Sequence, residues 1–343
     1  MSIGRVAGAT DTGRRRRRNE DAYVAQPPLF AVADGVGGAQ AGEVASRLAA
    51  AAALEESSAG GSAEERVAGL IQEANRRVHR AATQDSARSG MGTTMTVALV
   101  EDGAVAIGHV GDSRAYRLRS GGLEQLTEDH SLVGELMRSG NLSPEEARVH
   151  PQRNVVTRAL GSDPDVDADT FTVDAHPGDV FLLCSDGLSS MVGDDEIQKT
   201  LERYRSDLDA AVKTLIRQAL KAGGEDNITV VCFEIADAAA GETTERIELE
   251  RTREQALPPE EDDETLDELD GVPVLAAPEG SVGDTIVASA EELRAAQEQA
   301  QVQQTPRRRR RRQRDERRGM LAPALLIALV ALIVVLAVWG LTR

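Results

Sequence analysis

The chain has 343 residues, with 39 basic against 57 acidic side chains and a formal net charge of −18 at pH 7. That acidity argues against a nucleic-acid-binding protein, whose partner is itself a polyanion. The length gives room for one large domain with appendages.

Residues 2–10 and 22–34 read as strands, with Pro27-Pro28 falling between two of them. The Ala-rich stretch from Ala41 to about Ser57 reads as a helix, broken by Ser57-Ser58-Ala59-Gly60-Gly61. A second helix is predicted from Ala63 to about Thr83, because Val67, Leu70, Ile71, Ala74 and Val78 recur at helical spacing. β-Branched residues make 93–100 a strand, and a turn at Asp102-Gly103 leads into another over 104–110. Residues 115–118 and 123–126 flank a second turn at Ser120-Gly121-Gly122. Two short helices, forming a flap, are expected over 131–149, the second opened by Ser143-Pro144-Glu145-Glu146. Strands follow near 154–160, 167–173 and 179–185, then helices over 194–204 and 208–222 and a last strand over 228–235. Strands in hairpin-linked runs and helices in pairs point to an α+β fold with an antiparallel core and helices outside it. GxGxxG and a regular βα alternation are both missing, which argues against dinucleotide binding.

Beyond this body the composition changes. Residues 237–304 hold 4 basic and 19 acidic side chains and read as an acidic disordered linker. Residues 305–319 are Arg-rich, with nine arginines between Arg307 and Arg318. Residues 320–341 carry no charge and span about 33 Å as a helix, the length of a single-pass transmembrane segment. Arginines on its near side place the N-terminal bulk in the cytoplasm, at the plasma membrane. At the other end, Met1-Ser2-Ile3-Gly4-Arg5 shows no apolar run of a signal peptide.

One grammar recurs through residues 1–236. Apolar runs end on Asp34 (followed by Gly35-Val36-Gly37-Gly38), on Asp112 and on Asp186, and Asp226-Asn227 stands directly before the run at 228–233. Acids at strand ends can converge on one rim, where they repel each other unless a cation sits among them. Oxygen ligands without His or Cys suit Mn2+ or Mg2+. Cys184 and Cys232 lie in apolar runs without metal-binding spacing and read as reduced core thiols. His109 and His130 read as packing or capping residues, and Asp163-x-Asp165-x-Asp167 lacks the Gly and Glu of a calcium loop.

Arg16-x-x-x-Glu20-Asp21, Asp34-Gly35-x-Gly37-Gly38, Gly92-Thr93-Thr94, Gly111-Asp112-Ser113-Arg114, Ser185-Asp186-Gly187 and Asp226-Asn227 together resemble, in order and rough spacing, the metal-dependent PP2C-type (PPM) protein serine/threonine phosphatases, and among them the bacterial membrane-anchored members. The resemblance covers about residues 3–236. It implies a four-layer αββα sandwich of two antiparallel sheets flanked by helices. It implies that Asp34 bridges two ions, that Gly35 offers its carbonyl to one, and that Asp186 and Asp226 complete the second site. Asp112, with Asp186, resembles ligands of a third, weaker ion, and Glu20 and Asp21 resemble outer ligands. Arg16 resembles the phosphate-binding arginine, its register within Arg14 to Arg18 taken from its distance to Glu20-Asp21. The implied chemistry is direct attack of metal-activated water on phosphoserine or phosphothreonine in proteins, with no covalent phospho-enzyme. Val36 departs from the His of many eukaryotic members and cannot donate a proton. The implied partners are phosphorylated proteins, among them a membrane serine/threonine kinase and its substrates. Rival readings are a phosphatase of a partner-switching, anti-sigma-type regulator, and an inactive sensor or scaffold.

Overall fold

The computed structural model describes residues 1–37, 41–55, 60–237 and 286–287. Strand β3 (Leu29–Val36) is buried at all eight positions. Its alternate side chains enter two different clusters: Leu29, Ala31 and Ala33 one, Phe30 and Val32 the other. Strands β11 (Val180–Cys184) and β12 (Ile228–Ala236) divide in the same way. A strand covered on both faces reads as a continuous apolar run, which is why these segments lack polar alternation.

The covering elements make four layers. One sheet runs β1 (Ser2–Asp11), β12, β11, β7 (Arg114–Arg119), β8 (Gly122–Gln125). The other runs β10 (Asp169–Asp174), β6 (Ala104–Val110), β5 (Met95–Glu101), β3, β2 (Asp21–Gln26), with β4 (Gly92–Thr93) also paired to β3. All pairings within these two sheets are antiparallel. Between the sheets Phe233 stacks on Phe30, with ring centroids 4.0 Å apart, and on Phe181 at 5.1 Å. Helices α1 (Ala41–Glu55) and α2 (Ala63–Gln84) cover the second sheet through Ala49, Val67, Leu70 and Ile71. Helices α6 (Asp194–Arg203) and α7 (Leu208–Ala222) cover the first through Ile197, Leu201, Val212 and Leu215. The two cysteines are free and buried in this last layer, where burial holds the Cys184 thiol up at about 12.

Local signals set the boundaries. Asp102 and Ser120 take positive φ (49° and 50°) at the tips of the two expected hairpins. Ser62 and Ser143 close capping boxes with Glu65 and Glu146 at the starts of α2 and α4 (Pro144–Arg148). Helix α3 (Leu132–Arg138) precedes α4, as the flap segment predicted.

Three expectations change. The strand expected over 154–160 is reduced to β9 (Val155–Val156), because Thr157 N–H donates to His130 O and Leu160 pairs with Thr93 instead of continuing a ladder. A short helix, α5 (Asp186–Ser189), follows β11 where none was predicted. Within the segment read as a disordered linker, β13 (Ile286–Val287) pairs in parallel with β9. The remainder of 238–304, the Arg-rich segment 305–319 and the apolar stretch 320–341 lie outside the described residues. Among the described residues no helix is long and apolar enough to cross a membrane.

Candidate metal centre and active site

The acids predicted at strand ends gather at one end of the sandwich. Asp21, at the start of β2, lies directly opposite Asp34 in the β2–β3 ladder. Asp112 follows β6, Asp186 opens α5 at the end of β11, and Asp226 precedes β12. Asp21, Asp34 and Asp112 are buried.

Backbone and hydroxyl contacts fix the supports of Asp34 and Asp21. Thr94 Oγ1 accepts from Asp34 N–H at 3.0 Å, while Thr93 Oγ1 and Thr94 N–H donate to Asp34 O, both at 2.8 Å. Ser185 Oγ and Thr229 Oγ1 donate to Asp21 Oδ2 at 2.9 and 2.6 Å. Gly35 has no room for a side chain: a Cβ there would stand 2.2 Å from Gly42 O. Gly187 is equally constrained, 2.0 Å from Asn227 O, so Ser185-Asp186-Gly187 and Asp226-Asn227 pack backbone to backbone.

The loop carrying Arg16 is tied to this centre by Asn227. Its Nδ2 donates to Thr12 O (2.8 Å) and Arg18 O (2.9 Å), and its Oδ1 accepts from Glu20 N–H (2.8 Å). Within the loop so held, Arg16 Nη2 donates to Asp226 Oδ2 at 2.8 Å. Glu20 O in turn accepts from Gly35 N–H at 3.1 Å.

Electrostatically the cluster is under stress. Burial, then the charges of Asp21, Asp186, Asp226 and Asp112, push the Asp34 carboxyl well above its ordinary range. Burial, then Asp226, Asp112 and Asp21, does the same to Asp186, against the opposing pull of Arg16. Asp112 is raised to about 7 by burial and Asp129, opposed by Arg114. Asp21 is raised to about 6, mainly by burial, although its two hydroxyl partners pull it down. Among the described residues, two buried carboxylate oxygens, Asp21 Oδ1 and Asp186 Oδ1, have no hydrogen-bond partner. Among the described residues no three such side chains are already closed around one point as an ion would hold them. Mutually repelling acids with orphaned oxygens and an all-oxygen donor set nevertheless fit hard divalent cations, which would relieve both defects.

The structure brings together Arg16, Glu20, Asp21, Asp34, Gly35, Asp112, Asp186 and Asp226, the full set singled out in the sequence. It leaves out Asp163, Asp165 and Asp167, which are exposed. His109 is buried between Thr96 Oγ1 (2.9 Å) and Glu128 O (3.0 Å). His130 Nδ1 accepts from Gly111 N–H at 3.1 Å, beside Asp112, so both histidines pack and position. Sequence reasoning missed the clamp made by Asn227, the two hydroxyls on Asp21, and Arg153, whose Nη2 lies 3.5 Å from Glu225 Oε2 beside Asp226. Asp226-Asn227 was visible as a pair, but nothing in it shows which backbone the amide holds.

A profile described as protein phosphatase 2C matches residues 12–225. The chain is 44% identical over 236 residues to a serine/threonine phosphatase, stp, of Listeria welshimeri, covering 66% of this chain and 93% of that protein. It is 37% identical to the serine/threonine protein phosphatase PstP of Mycobacterium tuberculosis over 241 residues, 70% of this chain and 46% of that longer protein. A crystal structure of the latter's phosphatase superposes with a TM-score of 0.66 at 37% identity, covering 69% of this chain and 100% of the other. Another, of the PstP catalytic domain in complex with two manganese ions, gives 0.64 at 36% identity, over 68% and 99% of the two chains. With the profile spanning most of the sandwich and these relatives covering two thirds of the sequence, the chain belongs to the protein phosphatase 2C family of serine/threonine phosphatases.

Proposed function

We propose that this chain removes phosphate from phosphoserine and phosphothreonine in proteins at a centre of two divalent ions, Mn2+ or Mg2+, held by Asp34, the Gly35 carbonyl, Asp186 and Asp226. Asp112 with Asp186 would hold a third, weaker ion, and Glu20 and Asp21 would be outer ligands of the centre. The observation that carries this reading is the cluster of mutually raised carboxylates with orphaned buried oxygens beside an arginine. The manganese-bound relative supports the ion type. When bound, the ions supply the Lewis acidity that activates water and neutralises phosphoryl oxygens.

The protein's own residues do the rest. Arg16, fixed by the Asn227 clamp, presents its guanidinium to the substrate's phosphoryl oxygens, where charge-assisted hydrogen bonds are strongest. Asp21, pinned by Ser185 and Thr229, holds the β2 edge against Asp34. Val36 is buried and apolar and gives no proton to the departing hydroxyl. Catalysis therefore rests on positioning and charge rather than on a covalent intermediate. Phosphate release from a phosphothreonine peptide, measured before and after metal removal and in the Asp34→Asn variant, tests this reading.

The sequence also supports a layout. Residues 1–236 form the phosphatase domain, 237–304 an acidic linker, 305–319 a basic juxtamembrane segment and 320–341 a transmembrane helix. The domain then faces the cytoplasm at the plasma membrane, opposite a membrane serine/threonine kinase and its substrates. Fractionation of cells expressing the chain with and without 320–343 tests it: loss of membrane association on deletion is expected.

A further inference from the structure

The loop between β1 and β2 carries five consecutive arginines, Arg14 to Arg18. Arg16 is half-buried against Asp226, while Arg14, Arg15, Arg17 and Arg18 are exposed. The loop is pinned along its length: Arg14 N–H donates to Gly224 O at 2.8 Å, and Thr12 O and Arg18 O are both held by Asn227. The four exposed arginines thus have their backbones anchored within two residues of Arg16, at most about 8 Å from its Cα along the chain. Exposed charges act over a Debye length of about 8 Å at physiological salt, the span of two or three residues of a segment lying across the loop.

Few direct ion pairs engage these four side chains. Glu225 lies 3.7 Å from Arg15 Nη2 but is shared with Arg153. Among the described residues Arg14, Arg17 and Arg18 make no ion pair. The surrounding domain is acidic, 36 against 25 side chains over residues 1–236, so the patch runs against the charge of its own domain. Four like charges side by side repel one another and give the fold nothing. They become favourable when an anionic segment lies across them.

Resting on the reading of Arg16 as the phosphate contact, we propose that Arg14, Arg15, Arg17 and Arg18 form a specificity rim. It selects phosphoprotein segments that carry Asp or Glu within a few residues of the phosphoserine or phosphothreonine. The phosphate fixes the substrate at Arg16, and flanking carboxylates settle on the rim. Because these contacts are exposed and made equally before and during the reaction, they act on KM rather than on kcat.

The test uses the full chain and two phosphothreonine peptides of equal length, one with Glu on both sides of the phosphothreonine and one with Gln. At low ionic strength the Glu peptide should show a KM lower by roughly 5- to 20-fold, collapsing in 0.5 M NaCl. The R17S/R18S variant should lose most of that difference with kcat unchanged, any rise in KM common to both peptides reporting the lost field on the phosphate itself. The K199S/K213S variant, which removes the same charge from exposed lysines on α6 and α7, should retain it. Turnover of the Gln peptide reports the phosphatase reading by itself, so that reading and the rim fail separately. Equal KM values for the two peptides overturn the proposal, including the case in which the acidic segment 237–304 already covers the rim. So does a preference that survives in R17S/R18S.

Discussion

Arg16 Nη2 lies 2.8 Å from Asp226 Oδ2, so the arginine proposed to grip phosphate rests on a carboxylate of the acidic cluster. The two residues are 210 positions apart. They meet because Asn227, next to Asp226, holds the carbonyls of Thr12 and Arg18 on either side of Arg16. An ion pair of this kind holds the guanidinium extended beside the centre.

Replacing Arg16 by Ala should therefore raise KM for a phosphopeptide far more than it lowers kcat. The expected loss in kcat/KM is about 1.5–3 kcal/mol, the value of charged hydrogen bonds. Arg17→Ala should leave kcat on a small phosphate monoester without flanking carboxylates unchanged. Equal losses at both positions on that ester would place the phosphate contact elsewhere in the run.

Asn227→Ala removes three hydrogen bonds to the loop at once. Destabilisation of about 1–3 kcal/mol is expected in urea unfolding, together with a raised KM. Asn227→Asp keeps the acceptor for Glu20 N–H but loses both donors. It should therefore recover little of the KM.

Stability of the metal-free protein should fall as pH rises through the titration of the buried cluster. Asp21 and Asp112 titrate at about 6 and about 7 in the fold, above the unfolded carboxylate value of about 3.9. A raised folded value contributes stability that is present below the unfolded value and lost as pH rises through the folded one. The melting temperature should thus rise as pH falls from 8 to 5. Below about pH 4 the trend should reverse. Burial alone would raise Asp179, but Arg119, with two bonds of 2.8 and 2.6 Å, and the His176 N–H hold it below its ordinary value. Protonating it loses that contribution. Saturating Mn2+ should flatten the slope between pH 5 and 8, which differential scanning calorimetry reads directly. A melting temperature that climbs steadily from pH 5 to 8 without metal would contradict the stressed cluster.

The legibility of this molecule in its sequence divides by distance along the chain. Asp34, Asp112 and Asp186 could be found because each ends an apolar run, and Asp226 because Asp226-Asn227 stands directly before one; a strand end is a local pattern. The antiparallel core with helices outside it followed from hairpin-linked strands and paired helices, while the four-layer sandwich came only from the family resemblance of the motifs. What could not be read acts over long separations. Ser185 and Thr229 hold Asp21 from 164 and 208 positions away, and neither hydroxyl looks unusual among its neighbours. The strand expected over 154–160 failed for the same reason. Its β-branched residues promise a ladder, but Thr157 and Leu160 spend their backbone bonds on His130 and Thr93. Nor does anything in Ile286-Val287 alone announce its pairing with Val155-Val156.

A chain ending at Ala240 should fold and keep kcat on a small phosphate ester, because both sheets and every proposed site residue lie within 1–236. It lacks the β13 pairing with β9, so any change confined to KM for protein substrates would report on that contact. Insolubility or loss of kcat would show that later residues are part of the catalytic fold.

The most direct measurement is phosphate release from a phosphothreonine peptide by the full chain in EDTA, after addition of Mn2+ or Mg2+, and in the Asp34→Asn and Asp186→Asn variants. The account predicts no turnover in chelator, recovery with metal, and at least ~10²-fold lower kcat in each variant. Neutralising one acid should also relieve repulsion, so each metal-free variant should melt higher than the metal-free wild type and gain less from Mn2+. Full activity in EDTA, or an Asp186→Asn variant that turns over like wild type, would contradict a metal centre built on these carboxylates.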